Sequence, residues 1–249
     1  ANLIGAVVRN EFVLHYQPIF ETATSNITGF EALIRWEFQD ELLYPDDFIT
    51  IAECSRVIID IGRWVIEQAI YQLSIWNLRE RKNYIIAINL SSVQLSDRNL
   101  VQFIKDALRK YHVNPKLIEF ELTETTLLEN SKQAITTLES ISELGCSIAL
   151  DDFGSGFSSV SHLQNFPIST VKIDKSLIMA AREEKTQALI KGLAAMLHSL
   201  TLNIVAEGIE NEQALQLCQQ LNIHRAQGYY FSKPLDVKGI EQHYFKSTA

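Results

Sequence analysis

Residues 147–174 read SIALDDFGSGFSSVSHLQNFPISTVKID, and this stretch decides the fold. Ser147 to Leu150 is a short aliphatic run after the turn residue Gly145, the pattern of a buried strand. Thr170 to Ile173 repeats the pattern after Ser169. The first run passes directly into Asp151 and Asp152, and the second contains Lys172 and ends at Asp174. Charge thus collects where buried strands finish.

Outward from this stretch the pattern recurs. Tyr84 to Leu90, Leu117 to Leu122 and Asn203 to Ala206 are further strands. Between them lie helical periods. Leu100, Phe103, Ile104, Ala107, Leu108 and Tyr111 share one face, with Asp97 placed to cap that helix. Ile135, Leu138, Ile141 and Leu144 form a second face, and Leu189, Leu193, Met196, Leu197 and Leu200 a third. Strand and helix in alternation imply a parallel sheet covered by helices. Val13 to Phe20 and Ile27 to Ile34 read as an antiparallel hairpin, because Glu21 to Asn26 is too short for a crossover. With Ala226 to Phe231 as a last strand the total is about eight, which favours a closed barrel in one domain. An open doubly wound sheet is the alternative, but no glycine-rich phosphate loop follows any strand.

The 249 residues are 47% hydrophobic and carry a net charge of -8. That balance argues against a duplex nucleic-acid partner. Cys54, Cys146 and Cys218 show no disulfide or zinc spacing and read as reduced, buried residues of a cytoplasmic chain. No apolar run has membrane length, so no membrane contact by this domain is expected. The abrupt start at Ala1 reads as a domain excised from a longer multidomain protein, whose anchor would lie elsewhere.

Five successive strands end in acids or amides: Asn89; Glu119, Glu121 and Glu124; Asp151 and Asp152; Asp174 beside Lys172; Glu207 and Glu210. In a β/α barrel those ends share the face that holds the active site. Carboxylates so close require counter-ions. An all-oxygen set suits Mg²⁺ or Mn²⁺ rather than zinc, and adjacent aspartates can serve two ions. The residues alone therefore point to a metal-assisted hydrolase. Glu119 is read as a buried structural group turned away from Glu121, Asp174 as a cap or an orienter of Lys172 or, equally, as a ligand contact, and Trp36, Trp64 and Trp76 as packing residues. None of the histidines has metal-ligand spacing.

The order of motifs is more specific. Tyr16-Gln17-Pro18-Ile19, Glu31-Ala32-Leu33-Ile34-Arg35-Trp36, Asn89-Leu90-Ser91 and Glu121-Leu122-Thr123-Glu124 come first. Asp151 to Ser159, Lys172-Ile173-Asp174, Ala206-Glu207-Gly208-Ile209-Glu210 and Gln227-Gly228-Tyr229 follow. From about Leu3 to Leu235 the chain resembles the EAL-domain cyclic-di-GMP phosphodiesterase family. The resemblance implies an α/β fold, a TIM-like (β/α)8 barrel with an antiparallel first strand, spanning roughly residues 3–245 of a single domain at 1–249. It implies hydrolysis of cyclic-di-GMP to linear pGpG; the alternative is a catalytically silent cyclic-di-GMP receptor.

Carried over by position, Glu31, Asn89, Glu121 and Asp151 are implied ligands of a first Mg²⁺ or Mn²⁺. Asp151, Asp152 and Glu207 are implied ligands of a second. Lys172, with help from Glu207, is the implied catalytic group. Gln17, Arg35, Glu210 and Gln227 are implied substrate contacts, and Glu124 the anchor of the loop from Asp152 to Ser159. The family also implies a homodimer, with that loop coupling metal binding to dimer contacts, and regulatory domains before Ala1 are compatible with it. Ser155 and Phe157 replace the more usual Thr and Tyr. Glu37 to Glu41 departs from the family pattern, so a different rim loop is expected there. Arg56 also replaces a common Gly.

Overall fold

Alternation along each strand sorts the side chains before any tertiary contact is considered. A computed structural model of the protein describes residues 3–128, 132–154, 163, 165–181 and 183–245. Its sheet strands are β1 (Phe12–Glu21), β2 (Ile27–Phe38), β3 (Glu41–Leu43), β4 (Ile85–Asn89), β5 (Ile118–Thr123), β6 (Ser147–Phe153), β7 (Thr170–Ile173), β8 (Asn203–Ala206) and β9 (Arg225–Ala226). β1 pairs antiparallel with both β2 and β9, and the strands from β2 through β4 to β9 pair in parallel. These bonds close eight staves into a barrel, with β3 hung on the outside of β2. The expected barrel with its antiparallel first strand is present, and the open sheet is excluded.

The outward positions are apolar and fully buried: Ile86 and Ile88, Ile118 and Phe120, Ile148 and Leu150, Val171 and Ile173. They meet a helical shell of α1 (Pro45–Cys54), α2 (Ile58–Glu80), α3 (Ser92–Leu95), α4 (Leu100–Lys110), α5 (Glu124–Leu128), α6 (Lys132–Glu143), α7 (Lys175–Met179), α8 (Glu184–Ser199), α9 (Glu212–Gln220) and α10 (Val237–Tyr244). Long α2 supplies Ile66, Ile70, Leu73 and Trp76, all without exposed surface. Fully burying such side chains contributes about 1.5–3 kcal/mol each. Trp36 is buried and Trp64 packs against the same cluster.

The polar inward positions, interspersed with small apolar ones such as Ala87 and Ala149, form two storeys. β5 offers Glu119 and Glu121, β7 Thr170 and Lys172, and the β9 segment Arg225 and Gln227. In the lower storey, Glu119 Oε2 accepts from Thr170 Oγ1 at 2.6 Å and from Arg225 at 3.0 Å. These partners stand on non-adjacent staves, so they meet across the barrel interior. Glu119 is buried and structural, as expected, but it does not turn away from Glu121: residues two apart on a strand share a face.

Several other expectations are corrected. The last strand does not extend over Ala226 to Phe231; it ends at Ala226. Gly228 packs so tightly on the Ile209 backbone that a Cβ would lie 2.2 Å from its N and O. The Gly228 carbonyl then accepts from Phe231 and Ser232, which turns the chain. Asp97 does not cap α4 from the N-cap position, which Asn99 occupies; it accepts the Asn99 N–H and pairs with Arg63. Leu189 faces solvent while Ile190 takes the core position, and Cys54 is exposed.

Candidate active site

The upper storey and the strand ends above it gather the acidic residues. Asn89 closes β4 and stands in register with Glu121 on β5, while Glu31 on β2 stands opposite Gln17 on β1. Glu207 follows β8 directly, its N–H held by the Ile173 carbonyl at 3.1 Å.

Asp151 and Asp152 pose a geometric problem, since neighbours on a regular strand point to opposite faces. The register between β6 and β7 shifts between Leu150 and Phe153, which is a bulge. Within it Asp152 adopts a left-handed φ of 57°, a conformation that Asp tolerates better than most residues. The bulge brings carboxylate oxygens of Asp151, Asp152 and Glu207 within 4.8 Å of one another.

Lys172, only 1% exposed, is the hub. Its Nζ lies 2.8 Å from Glu121, 2.8 Å from Glu207, 3.4 Å from Asp151 and 3.8 Å from Glu31. A hydrogen-bonded chain fixes Glu31. Gln227 Nε2 donates to Glu31 Oε2 at 2.5 Å and to Gln17 Oε1 at 2.9 Å, and Asn89 Nδ2 donates to Glu31 Oε1 at 2.9 Å. Gln17 in turn donates to the Ser232 carbonyl at 3.0 Å.

One ammonium cannot neutralise so many carboxylates. Burial, with Asp151 and Glu31 nearby, pushes Glu207 up to about 7 despite Lys172. Burial likewise drives Glu121 well above the usual carboxylate range, and lifts Asp152. For Glu31 burial is outweighed by Lys172, Gln227 and Asn89, so it stays low. Burial would lower Lys172, but the surrounding carboxylates hold it well above its ordinary value.

The residues present fit a hard divalent cation. Glu121 Oε1 is buried with no hydrogen-bond partner among the described residues, a costly condition that a cation would relieve. The Asn89 amide gives its N–H to Glu31, which leaves its carbonyl oxygen as a donor to metal. The cluster Asp151, Asp152 and Glu207 can hold an ion with oxygen ligands alone.

This charge balance has a measurable consequence. Glu207 has a folded-state pKa above its ordinary value of 4.5, so its contribution to stability is full below pH 4.5 and is lost as pH rises through about 7. The metal-free protein should therefore melt at a lower temperature at pH 8 than at pH 6. Mg²⁺ should raise Tm more at pH 8, where it does not compete with the proton; thermal scans with and without Mg²⁺ check this.

Not every expected site residue joins the cluster. Glu210 is exposed and lines a groove of about 290 Å³ with Met179, Gln187, Asn211 and Gln213. Glu124 opens α5 directly after β5 and is half-buried. Ser155, Gly156, Phe157 and the rest of the expected loop to Ser159 lie outside the described residues. Asp174 is an N-cap, accepting the Ser176 N–H at 2.9 Å. Two features escaped the sequence reading: the bulge at Asp151-Asp152, whose signal is adjacent acids in a strand, and the β2–β3 hairpin that leads into Tyr44.

A model of the EAL domain matches residues 1–234, and the chain belongs to that family. The signaling protein YkoW of Bacillus subtilis is 41% identical over 241 residues, covering 95% of this chain and 30% of the relative. The cyclic di-GMP phosphodiesterase PdeR of Escherichia coli is 34% identical over 246 residues, covering 98% of this chain and 37% of the relative. The chain thus spans about a third of the length of these curated relatives. A solved structure of PaMucR phosphodiesterase in complex with c-di-GMP superposes with a TM-score of 0.89 at 33% identity, covering 96% of this chain and 98% of that one.

Proposed function

We propose that the protein hydrolyses cyclic-di-GMP to linear pGpG with two divalent cations, Mg²⁺ or Mn²⁺. The observation that carries this reading is the bulge that aims both Asp151 and Asp152 into a cage already crowded with Glu31, Glu121 and Glu207. The names of PdeR and PaMucR point to the same substrate.

In this reading Glu31, Asn89, Glu121 and Asp151 would hold one cation, and Asp151, Asp152 and Glu207 would hold the other. Bound there, the cations would lower the pKa of a water and neutralise phosphoryl charge. Lys172 holds that water in line and faces the charge that develops at phosphorus. Glu207, poised about neutrality, takes up a proton from it. Gln17, Arg35 and Gln227 border the substrate; Gln17 and Gln227 do so while fixing Glu31. Glu210 reaches it from the adjoining groove, and Glu124 anchors the loop after β6. A homodimer, regulatory domains upstream and a cytoplasmic setting complete the proposal. Among the described residues no helix is long and apolar enough to cross a membrane.

Chromatography of cyclic-di-GMP after incubation with protein and Mg²⁺ or Mn²⁺ tests the reading. pGpG should accumulate, and the absence of product with both metals would overturn it.

A further inference from the structure

Arg35 is 5% exposed, yet its guanidinium is only partly satisfied. One terminal N–H donates to the Ile34 carbonyl at 2.8 Å, whereas Nε is buried with no acceptor among the described residues. A planar fork with an idle edge is a receptor for two oxygens of an anion. Arg35 lies on the same face of β2 as Glu31, four residues on, so roughly 13 Å separates their Cα atoms. It stands in register with Val13, past the level where β2 pairs with β4, and so sits higher in the barrel mouth than the metal cage.

The Tyr44 ring lies against the guanidinium. In the β2–β3 hairpin Trp36 pairs with Leu43, and Arg35 and Tyr44 are the next residues beyond that last pair. The two-residue turn is Gln39-Asp40, with φ of 51° and 65°, the geometry that matches the twist of the strands. Tyr44 is also pinned at its backbone: its N–H donates to Asp47 Oδ2 at 2.8 Å, and Pro45 begins α1. Arg35 Cζ lies 4.8 Å from the centre of the Tyr44 ring, while Tyr44 itself remains 53% exposed. Tyr229 is 59% exposed, with Lys233 Nζ 5.3 Å from its ring centre.

We propose that Tyr44 is a positioning residue that stacks beneath Arg35 and presents its idle edge to a phosphodiester of the substrate. This inference rests on the cyclic-di-GMP reading above. It assigns a task to Tyr44, the residue that follows the β2–β3 hairpin and caps α1.

Steady-state kinetics and calorimetric binding with cyclic-di-GMP test it. Tyr44→Ala should raise KM and Kd about 5- to 20-fold, with kcat within about 2-fold of wild type. Tyr44→Phe, which keeps the ring, should restore most of the affinity. Added to Arg35→Ala, Tyr44→Ala should cost less than about 2-fold more, because the residue acts through Arg35. Unchanged KM in Tyr44→Ala would overturn the proposal, and so would full additivity with Arg35→Ala or a loss of kcat that tracks a lowered Tm. A wild-type protein that neither binds nor hydrolyses cyclic-di-GMP would instead defeat the functional reading itself.

Discussion

Glu207→Gln is expected to lower kcat for cyclic-di-GMP on the order of 1,000-fold while leaving the fold intact. The side chain is proposed both as a cation ligand and as a proton acceptor, and an amide serves poorly as the first and not at all as the second. Its stability effect should have the opposite sign. Glu207 is ionised only against the opposition of Asp151, Glu31 and burial. A neutral amide removes that conflict and can still accept from the Lys172 ammonium, which lies 2.8 Å from the native carboxylate. Metal-free Glu207→Gln should therefore melt higher than wild type at pH 8, with the difference shrinking towards pH 6. The Mg²⁺-induced rise in Tm should fall. A variant both inactive and less stable at pH 8 would show that Glu207 is held in place for packing rather than for chemistry.

Lys172→Met should be the most destabilising change in the barrel. The ammonium is buried and faces four carboxylates within 3.8 Å. Removing one partner of a buried ionic group typically costs about 3–5 kcal/mol, because the remaining charges lose their counter-ion. The loss should deepen as pH rises, since the carboxylates escape repulsion only by binding protons. kcat should fall about 100- to 1,000-fold, as for the deletion of a preorganised electrostatic group. Yet Mg²⁺ should raise the Tm of this variant more than that of wild type, because a cation then supplies charge that Lys172 supplied before. Denaturant unfolding at pH 6 and pH 8, with and without Mg²⁺, reads all three effects. A smaller metal response than in wild type would contradict the shared cage.

Much of this was legible in the sequence for an identifiable reason. Short aliphatic runs that end in Asn89, Glu121, Asp151 and Glu207 encode both the strand and its direction, because apolar side chains must face the helices and the acids must find company. The antiparallel β1 was legible because the link from Glu21 to Asn26 is too short for a crossover. The last stave was not. Ala226 to Phe231 has strand-like composition, and only the contact of Gly228 with the Ile209 backbone stops it after Ala226. The roles of Gln17 and Gln227 were hidden for a similar reason: their hydrogen bonds to one another and to Glu31 join residues far apart in the chain. The orientation of Asp152 depends on a backbone dihedral that composition does not encode.

The double-decker interior also bears on how the barrel avoids assembling wrongly. A strand that slides by one residue exposes its apolar row and is rejected at once. A slide by two keeps every greasy side chain outward, so hydrophobicity is blind to it. Here such a slide of β5 would carry Glu119 to the level of Lys172 and leave Arg225 without its carboxylate. Ionic matching between the decks thus proofreads the alignment that oil-and-water sorting lets pass.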